Sequence, residues 1–287
     1  MPAVENITEL PPLLPRRADS NKGDFGCVLV VAGSRGMTGA AILCGTGALR
    51  GGAGLVRLAV PEDVAPIVAA GNPCYMTAPF PADPHGRLDS SAAAELTRLL
   101  GANDVAAVGP GLGQSEGTEA CVRAAVSSAT PLVLDADGLN ILRGDTALLR
   151  GRAAPLILTP HPGEFARLLR SDTKSVLARR EELSVRFAAE HGMVLVLKGH
   201  ATLVTDGKRL YRNTTGNAGM ATGGTGDVLT GLIAALCGQG LEAFPAAQLG
   251  VYLHGLAGDL VREDLGEVSL IATDLLDYLP RAFQQRC

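Results

Sequence analysis

The stretch "NAGMATGGTGDVLTGLIAAL", residues 217–236, places Gly219, Gly223, Gly224 and Gly226 ahead of an apolar run, with one acid, Asp227, at the junction. A glycine-rich turn that feeds a helix N-terminus aims several backbone N–H groups in one direction and adds the positive end of the helix dipole, which suits an anionic phosphate. Gly223, Gly224, Thr225 and Gly226 are therefore read as an anion hole. No GxxxxGK[ST] occurs in the chain, which excludes a P-loop of Walker type. Asp227 has two readings. It is an N-cap, a position aspartate often fills, or a base that takes a proton from a substrate hydroxyl as that oxygen attacks phosphorus. Thr225 is available as a cap, and an acid beside a phosphate cradle repels its ligand unless it has a purpose, so the base is favoured. On this reading the helix dipole keeps Asp227 ionised at neutral pH.

Outward from this segment, short β-branched or leucine-rich runs alternate with alanine-rich segments of helical period, the signature of parallel strands joined by helices. Strands are expected at 27–32, 55–60, 105–108, 132–135, 156–158 and 194–197, and helices at 38–51, 90–100, 116–128, 174–190, 226–238, 245–262 and 272–284. Asp206-Gly207 between two strand-like runs in 201–213 signals a two-residue hairpin, so antiparallel strands join the sheet late. Residues 79–90 read as a surface loop and residues 1–20 as an N-terminal extension, and neither divides the chain. The expectation is a single domain over 1–287, α/β, doubly wound, with a mostly parallel central sheet and helices on both faces.

Open α/β sheets bind ligands at the carboxyl ends of their strands. Five of the six expected strand ends carry a distinctive loop there: "GSRGMTGAA" (33–41), "GPGLG" (109–113), "DADGLN" (135–140), "TPHPGE" (159–164) and "KGHAT" (198–202). The first has GxxGxxG spacing in place of GxGxxG and is weak evidence for a dinucleotide site. His161, between two prolines, is a candidate ligand contact, although proline and Glu164 are also ordinary residues of a first helical turn. Lys198 ends an apolar strand at a glycine, where a cation meets an anion, or simply marks a solvated strand end.

Composition narrows the partners. A net charge of -4 with no block of Lys or Arg offers no footprint for nucleic acid, and no apolar run reaches membrane-spanning length. Six cysteines without a CxxC pair suggest neither a disulfide framework nor a zinc site and read as buried thiols in a reducing compartment. A cytoplasmic protein is expected. Thirty-six glycines beside 3% aromatics, clustered after apolar runs, point to loops that approach a ligand closely.

"GGTGD" before an apolar helix resembles the anion-hole motif of ribokinase-fold enzymes. Together with "KGDFG", "GSRGMTGAA", "GPGLG", "DADGLN", "LTPHPGE" and "KGHAT", it resembles the ADP- or ATP-dependent NAD(P)H-hydrate dehydratases from about residue 20 to residue 280. That resemblance implies a repair lyase. Hydrated NADH or NADPH is phosphorylated on its ring hydroxyl by ADP or ATP with Mg2+, then loses phosphate, with AMP as the nucleotide product if ADP is the donor. Carried over by position, Lys198, Gly199, His200, Ala201, Thr202 and Gly226 match the nucleotide contacts. Ala40, Gly111, His161 and Asp227 match the hydrated-cofactor contacts, and Asp227 is the expected base. Asn140 and Glu164 fall near the phosphates or a magnesium shell. The resemblance also implies a homo-oligomer, a tetramer, and a separate NAD(P)H-hydrate epimerase as functional partner, since no fused epimerase domain is expected here.

Two loops depart from the family pattern, Asn21 in place of a histidine before Lys22-Gly23 and Ala218 in place of a proline before Gly219, and neither removes a proposed catalytic group. Rival readings share the residues. A small-molecule kinase of the same fold would use Asp227 equally but release a stable phosphorylated product. A nucleotide-sensing module has no need of the acid. An NAD-dependent dehydrogenase lacks its GxGxxG here.

Overall fold

The apolar runs pair into one sheet in the computed structural model, which describes residues 4–13, 15–142 and 145–286. In chain order the elements are β1 (Glu5–Ile7), β2 (Cys27–Val31), α1 (Thr38–Arg50), β3 (Leu55–Pro61), α2 (Ala65–Gly71), β4 (Met76–Phe80), α3 (Ala92–Leu100), β5 (Val105–Val108), α4 (Glu116–Ser127), β6 (Leu132–Leu134) and α5 (Asp137–Leu142). They continue with β7 (Leu156–Leu158), α6 (Pro162–Leu168), α7 (Thr173–Ala178), α8 (Arg180–His191), β8 (Val194–Leu197), β9 (Leu203–Thr205), β10 (Arg209–Arg212), α9 (Thr225–Gly238), α10 (Ala243–Leu265) and α11 (Ala272–Arg286).

Among the described residues the sheet has ten strands in the order β1-β10-β9-β8-β7-β6-β5-β2-β3-β4. Of these strands β9 alone runs against the rest, antiparallel to both β8 and β10. After β2 the chain builds outward through β3 and β4, then returns to lay β5 on the other side of β2. That reversal opens a crevice beyond the carboxyl ends of β2 and β5, where doubly wound sheets take their ligands.

Successive residues of a strand face opposite sides of the sheet, and along β2 this sorts two cores. Val28 and Val30 pack with Cys44 of α1, Leu229 and Ile233 of α9 and Val251 of α10. Leu29 and Val31 pack with Leu96, Val122, Leu139, Phe165 and Phe187 from α3, α4, α5, α6 and α8. Helices therefore cover both faces, as the unbroken apolar strands require. α9 is buried continuously from Val228 to Leu236, so it is enclosed on every side. It lies so near α1 that a Cβ on Gly231 would stand 1.9 Å from the Cys44 carbonyl oxygen. Some glycines thus serve helix contact and not ligand approach, contrary to the expectation from their clustering.

Other expectations are corrected locally. The helix expected at 174–190 is two, α7 and α8, broken at Arg179 (φ -132°, ψ 32°). Part of the expected surface loop at 79–90 is the end of β4, an edge strand paired with β3. The N-terminal extension contributes β1, which pairs in parallel with β10. The hairpin turn spans 206–208, wider than two residues, because the Asp206 carboxylate accepts from the Lys208 and Arg209 amides and rounds the corner itself. Cys44 and Cys121 are buried thiols, but Cys74 is exposed; Cys287 lies outside the described residues.

Candidate active site

Gly224, the residue that opens α9, has φ +91°, a left-handed conformation that glycine adopts without steric cost. It turns the chain so that the N–H groups of Gly223, Gly224, Thr225 and Gly226 make no hydrogen bond among the described residues. Thr225 does not cap the helix, contrary to expectation. It is the first helical residue, and its hydroxyl reaches back to the carbonyl oxygens of Met220 and Thr222 at 3.2 Å each. Asp227 does not cap it either, for it sits inside the first turn, its amide donating to the Gly224 carbonyl at 3.1 Å. His254 of α10 holds the loop from behind, its Nε2 donating to the Thr225 carbonyl at 2.9 Å. Burial pushes that imidazole down to about 4, so it is neutral.

Asp227 faces a cluster of charge. Burial, then the Asp135 carboxylate, with further repulsion from Glu164 and Asp137, push its carboxyl up to about 7 against the pull of Lys198. The helix dipole therefore does not keep Asp227 fully ionised at neutral pH, as the sequence suggested. A buried carboxyl among other carboxylates resists ionisation more than one helix end favours it. A base poised there suits proton transfer near neutrality.

Lys198, at the end of β8, donates from Nζ to Asp135 Oδ1 at 2.7 Å. Burial alone would lower its pKa, but the Asp135 and Glu164 carboxylates outweigh burial and raise it, so the ammonium stays charged. It is not the solvated strand end of the alternative reading: its Nζ lies 3.2 Å from where a Cβ on Gly226 would stand. The rest of "KGHAT" lies further out. Gly199 faces open space, Thr202 donates to the Gly199 carbonyl at 2.9 Å, and the Arg180 guanidinium grips the carbonyls of His200 and Ala201 at 2.7 and 2.9 Å.

His161 is the N-cap of α6. Its Nδ1 accepts from the Gly163 and Glu164 amides at 3.0 and 3.4 Å, while Glu164 Oε2 accepts from the His161 amide at 2.8 Å. The two form a capping box. Burial, Lys198 and Arg167 lower the His161 pKa, keeping the ring neutral and Nδ1 an acceptor. Across the crevice, Ala40 in the first turn of α1 abuts Gly111: a Cβ on Gly111 would stand 2.8 Å from that of Ala40. Ser34 Oγ and the Gly33 amide clasp the Gly111 and Pro110 carbonyls at 2.8 Å each, tying the loops after β2 and β5 together.

Of the residues proposed from the sequence, the structure brings Lys198, Gly226, Asp227 and Glu164 about one cluster and Ala40 beside Gly111. It does not bring Asn140 to that cluster: its Oδ1 accepts from Arg167 and its Nδ2 leans on Asp137. Two central residues were missed, Asp135 and Thr230. Thr230 Oγ1 donates to Asp135 Oδ2 at 2.8 Å, in the same carboxylate that holds Lys198. The signal for Asp135 was present: an acid that ends a buried strand must find partners.

The doubly wound sheet and the glycine turn at its crevice are those of a ribokinase-like α/β protein. A family model described as NAD(P)H-hydrate dehydratase matches residues 28–281, and the chain belongs to that family. It is 48% identical over 271 residues, 93% of this chain and 51% of the relative, to a bifunctional NAD(P)H-hydrate repair enzyme of Moorella thermoacetica. The chain thus spans about half the length of that relative. It is 41% identical over 260 residues, 88% of this chain and 82% of the relative, to an ADP-dependent (S)-NAD(P)H-hydrate dehydratase of Neisseria meningitidis. The ADP/ATP-dependent NAD(P)H-hydrate dehydratase of Bacillus subtilis, co-crystallized with ATP and Mg2+, matches with a TM-score of 0.81 and 32% identity, covering 96% of this chain and 95% of that one.

Proposed function

We propose that this protein dehydrates the S epimer of hydrated NADH or NADPH at the expense of ADP or ATP. The observation that carries the reading is the row of unpaired N–H groups at Gly223, Gly224, Thr225 and Gly226 beside a carboxyl whose proton affinity lies near neutrality. Asp227 accepts the proton of the ring hydroxyl while that oxygen attacks the terminal phosphorus of the nucleotide. The bond from that phosphorus to the departing nucleotide breaks, giving AMP from ADP, and the unpaired amides take up the charge on the phosphoryl oxygens. Phosphate then leaves with the C–O electron pair, a neighbouring ring proton is lost, and the ring double bond is restored. Lys198, Gly199, His200, Ala201 and Thr202 with Gly226 take the nucleotide. Ala40, Gly111 and His161 take the hydrated cofactor; His161 Nδ1 accepts from the Gly163 amide and its Nε2 lies 3.4 Å from Glu164 Oε1.

No group of three or more His, Cys, Asp or Glu suited to a metal occurs among the described residues. Glu164 and Asn140 are also committed to His161 and Arg167. This donor set fits Mg2+ carried on the nucleotide phosphates with few protein ligands, as that ion commonly travels, and there it would neutralise phosphate charge. The N. meningitidis and B. subtilis relatives supply the nucleotide dependence by analogy. We also place the protein in the cytoplasm as a homo-oligomer, a tetramer, with an NAD(P)H-hydrate epimerase as its functional partner. No helix among the described residues is long and apolar enough to cross a membrane. The test incubates the protein with hydrated NADH, Mg2+ and ADP or ATP. Recovery of reduced-nicotinamide absorbance is expected, whereas no recovery with either donor, or accumulation of a stable phosphorylated product, overturns the reading.

A further inference from the structure

Asp135 follows β6 at the floor of the crevice, its side chain 1 % exposed. Its conformation is closely constrained. The next residue, Ala136, has φ +50°, and Gly109 packs so tightly on Asp135 that a Cβ there would stand 1.8 Å from the Asp135 carbonyl oxygen. A carboxylate buried this deeply needs a partner for each oxygen. Oδ1 takes the Lys198 ammonium at 2.7 Å, and Oδ2 takes the Thr230 hydroxyl at 2.8 Å. Thr230 and Asp227 stand on one face of α9, since helix positions three apart are neighbours. Lys198 Nζ lies 3.2 Å from the Cβ position of Gly226, immediately before Asp227 in the chain. Asp227 nonetheless makes no ion pair within 4.0 Å among the described residues.

We propose that Asp135 is a positioning residue that occupies the Lys198 ammonium and, through Thr230, holds the face of α9 that carries Asp227, so that Lys198 does not pair with the base itself. A lysine this close to a lone carboxylate would neutralise it and leave a weak base. Asp135 prevents this by taking the ammonium first. It also leaves Lys198 fixed at the glycine turn, where a phosphate arrives. The groups facing Asp227 are Asp135 from the end of β6, Lys198 from the end of β8, Glu164 from α6, Asp137 from α5 and the Cys44 thiol from α1. Asp135 is the one that touches both Lys198 and α9.

This inference rests on the reaction proposed above, and its test has an arm that does not. Carboxyl 13C titration of Asp227 in ligand-free protein, assigned with Asp227→Asn, is compared between wild type and Asp135→Asn. The Asp227 midpoint is expected to fall by about one pH unit or more as Lys198 turns to it. In the dehydratase assay the rising limb of kcat/KM against pH should shift by the same amount, with the plateau falling about tenfold. Thr230→Val keeps the Asp135 charge, so it should slow turnover about threefold or more without moving the midpoint. An Asp135→Asn midpoint that stays in place or rises overturns the inference. Should that variant not fold, a wild-type rate in Thr230→Val overturns it and a slowed rate at an unmoved midpoint supports it. If the wild type shows no dehydratase activity, the reaction is misassigned, while the titration still decides the role of Asp135.

Discussion

The two ends of α9 differ in how their backbone is satisfied. At the C-terminal end the Gln239, Gly240 and Leu241 amides return to the Ala235, Cys237 and Leu236 carbonyls. The Gln239 side chain also donates to the Ala235 carbonyl at 3.0 Å and to that of Gly51, beyond α1, at 2.8 Å. At the N-terminal end the amides of 223–226 have no such partner among the described residues, and a carboxyl is held in an environment that resists its charge. A helix leaves donors unpaired at its start, and whether a protein caps them or keeps them open is a choice between stability and function. Here the anchored end and the buried middle fix the open end in place, which a binding constellation requires of its support.

The largest effect expected from breaking this contrast is at Asp227. Asp227→Asn should cut turnover by about 10²–10⁴-fold, the usual worth of a general base, with nucleotide binding largely kept, as read by calorimetry. The same variant should be more stable than wild type above neutrality. The folded chain holds the Asp227 proton up to about 7, whereas the unfolded chain releases it near 3.8, so stability drains as pH rises between those values. Asparagine carries no such cost. A gain of about 1–2 kcal/mol near pH 8 that vanishes below about pH 4 is therefore expected in denaturant melts. Equal stability at both pH values would show that the open end is not strained by its charge.

Next in size is the middle of the helix. Gly231→Ala forces a methyl to within 1.9 Å of the Cys44 carbonyl oxygen, which is backbone and cannot step aside. A loss of about 3 kcal/mol or more is expected, with turnover falling as α1 and Ala40 move. Smaller again is the pH response of the intact enzyme. Because the base acts without its proton, kcat/KM should rise with pH about a midpoint near 7. A flat profile from about pH 5 to 8 would mean that Asp227 is already ionised and that the charges around it do not govern it.

How much of this was legible in the sequence depends on whether a feature is local. The glycine turn, its acid and the strand-end loops were readable because each is written in a few consecutive residues. Asp135 and Thr230 were not nominated, although both lie in segments that were quoted. Their meaning comes from a meeting of β6, β8 and α9 that only the strand order creates. The ionisation of Asp227 was misjudged for the same reason. The dipole of its own helix is local knowledge, while Asp135, Glu164 and Asp137 arrive from other elements. His161 showed the reverse. The helix start after it is local and was weighed through Pro162 and Glu164, whereas its binding role depends on a ligand pose that no run of residues encodes.

The smallest change isolates the anchored end. Gln239→Ala removes three side-chain hydrogen bonds, one to α9 itself, one that ties it to the end of α1 and one accepted from the Arg16 guanidinium. The Ala235 carbonyl keeps the Gln239 amide as a partner, but Gly51 is buried and its carbonyl loses this donor, so the cost is expected to be about 1–2 kcal/mol in chemical denaturation. If the anchored end serves stability alone, kcat/KM and its midpoint near 7 stay those of wild type. If turnover falls by more than the loss of folded protein explains, the two ends of α9 are mechanically coupled. The cap at Gln239 would then belong to the site that opens at Gly224.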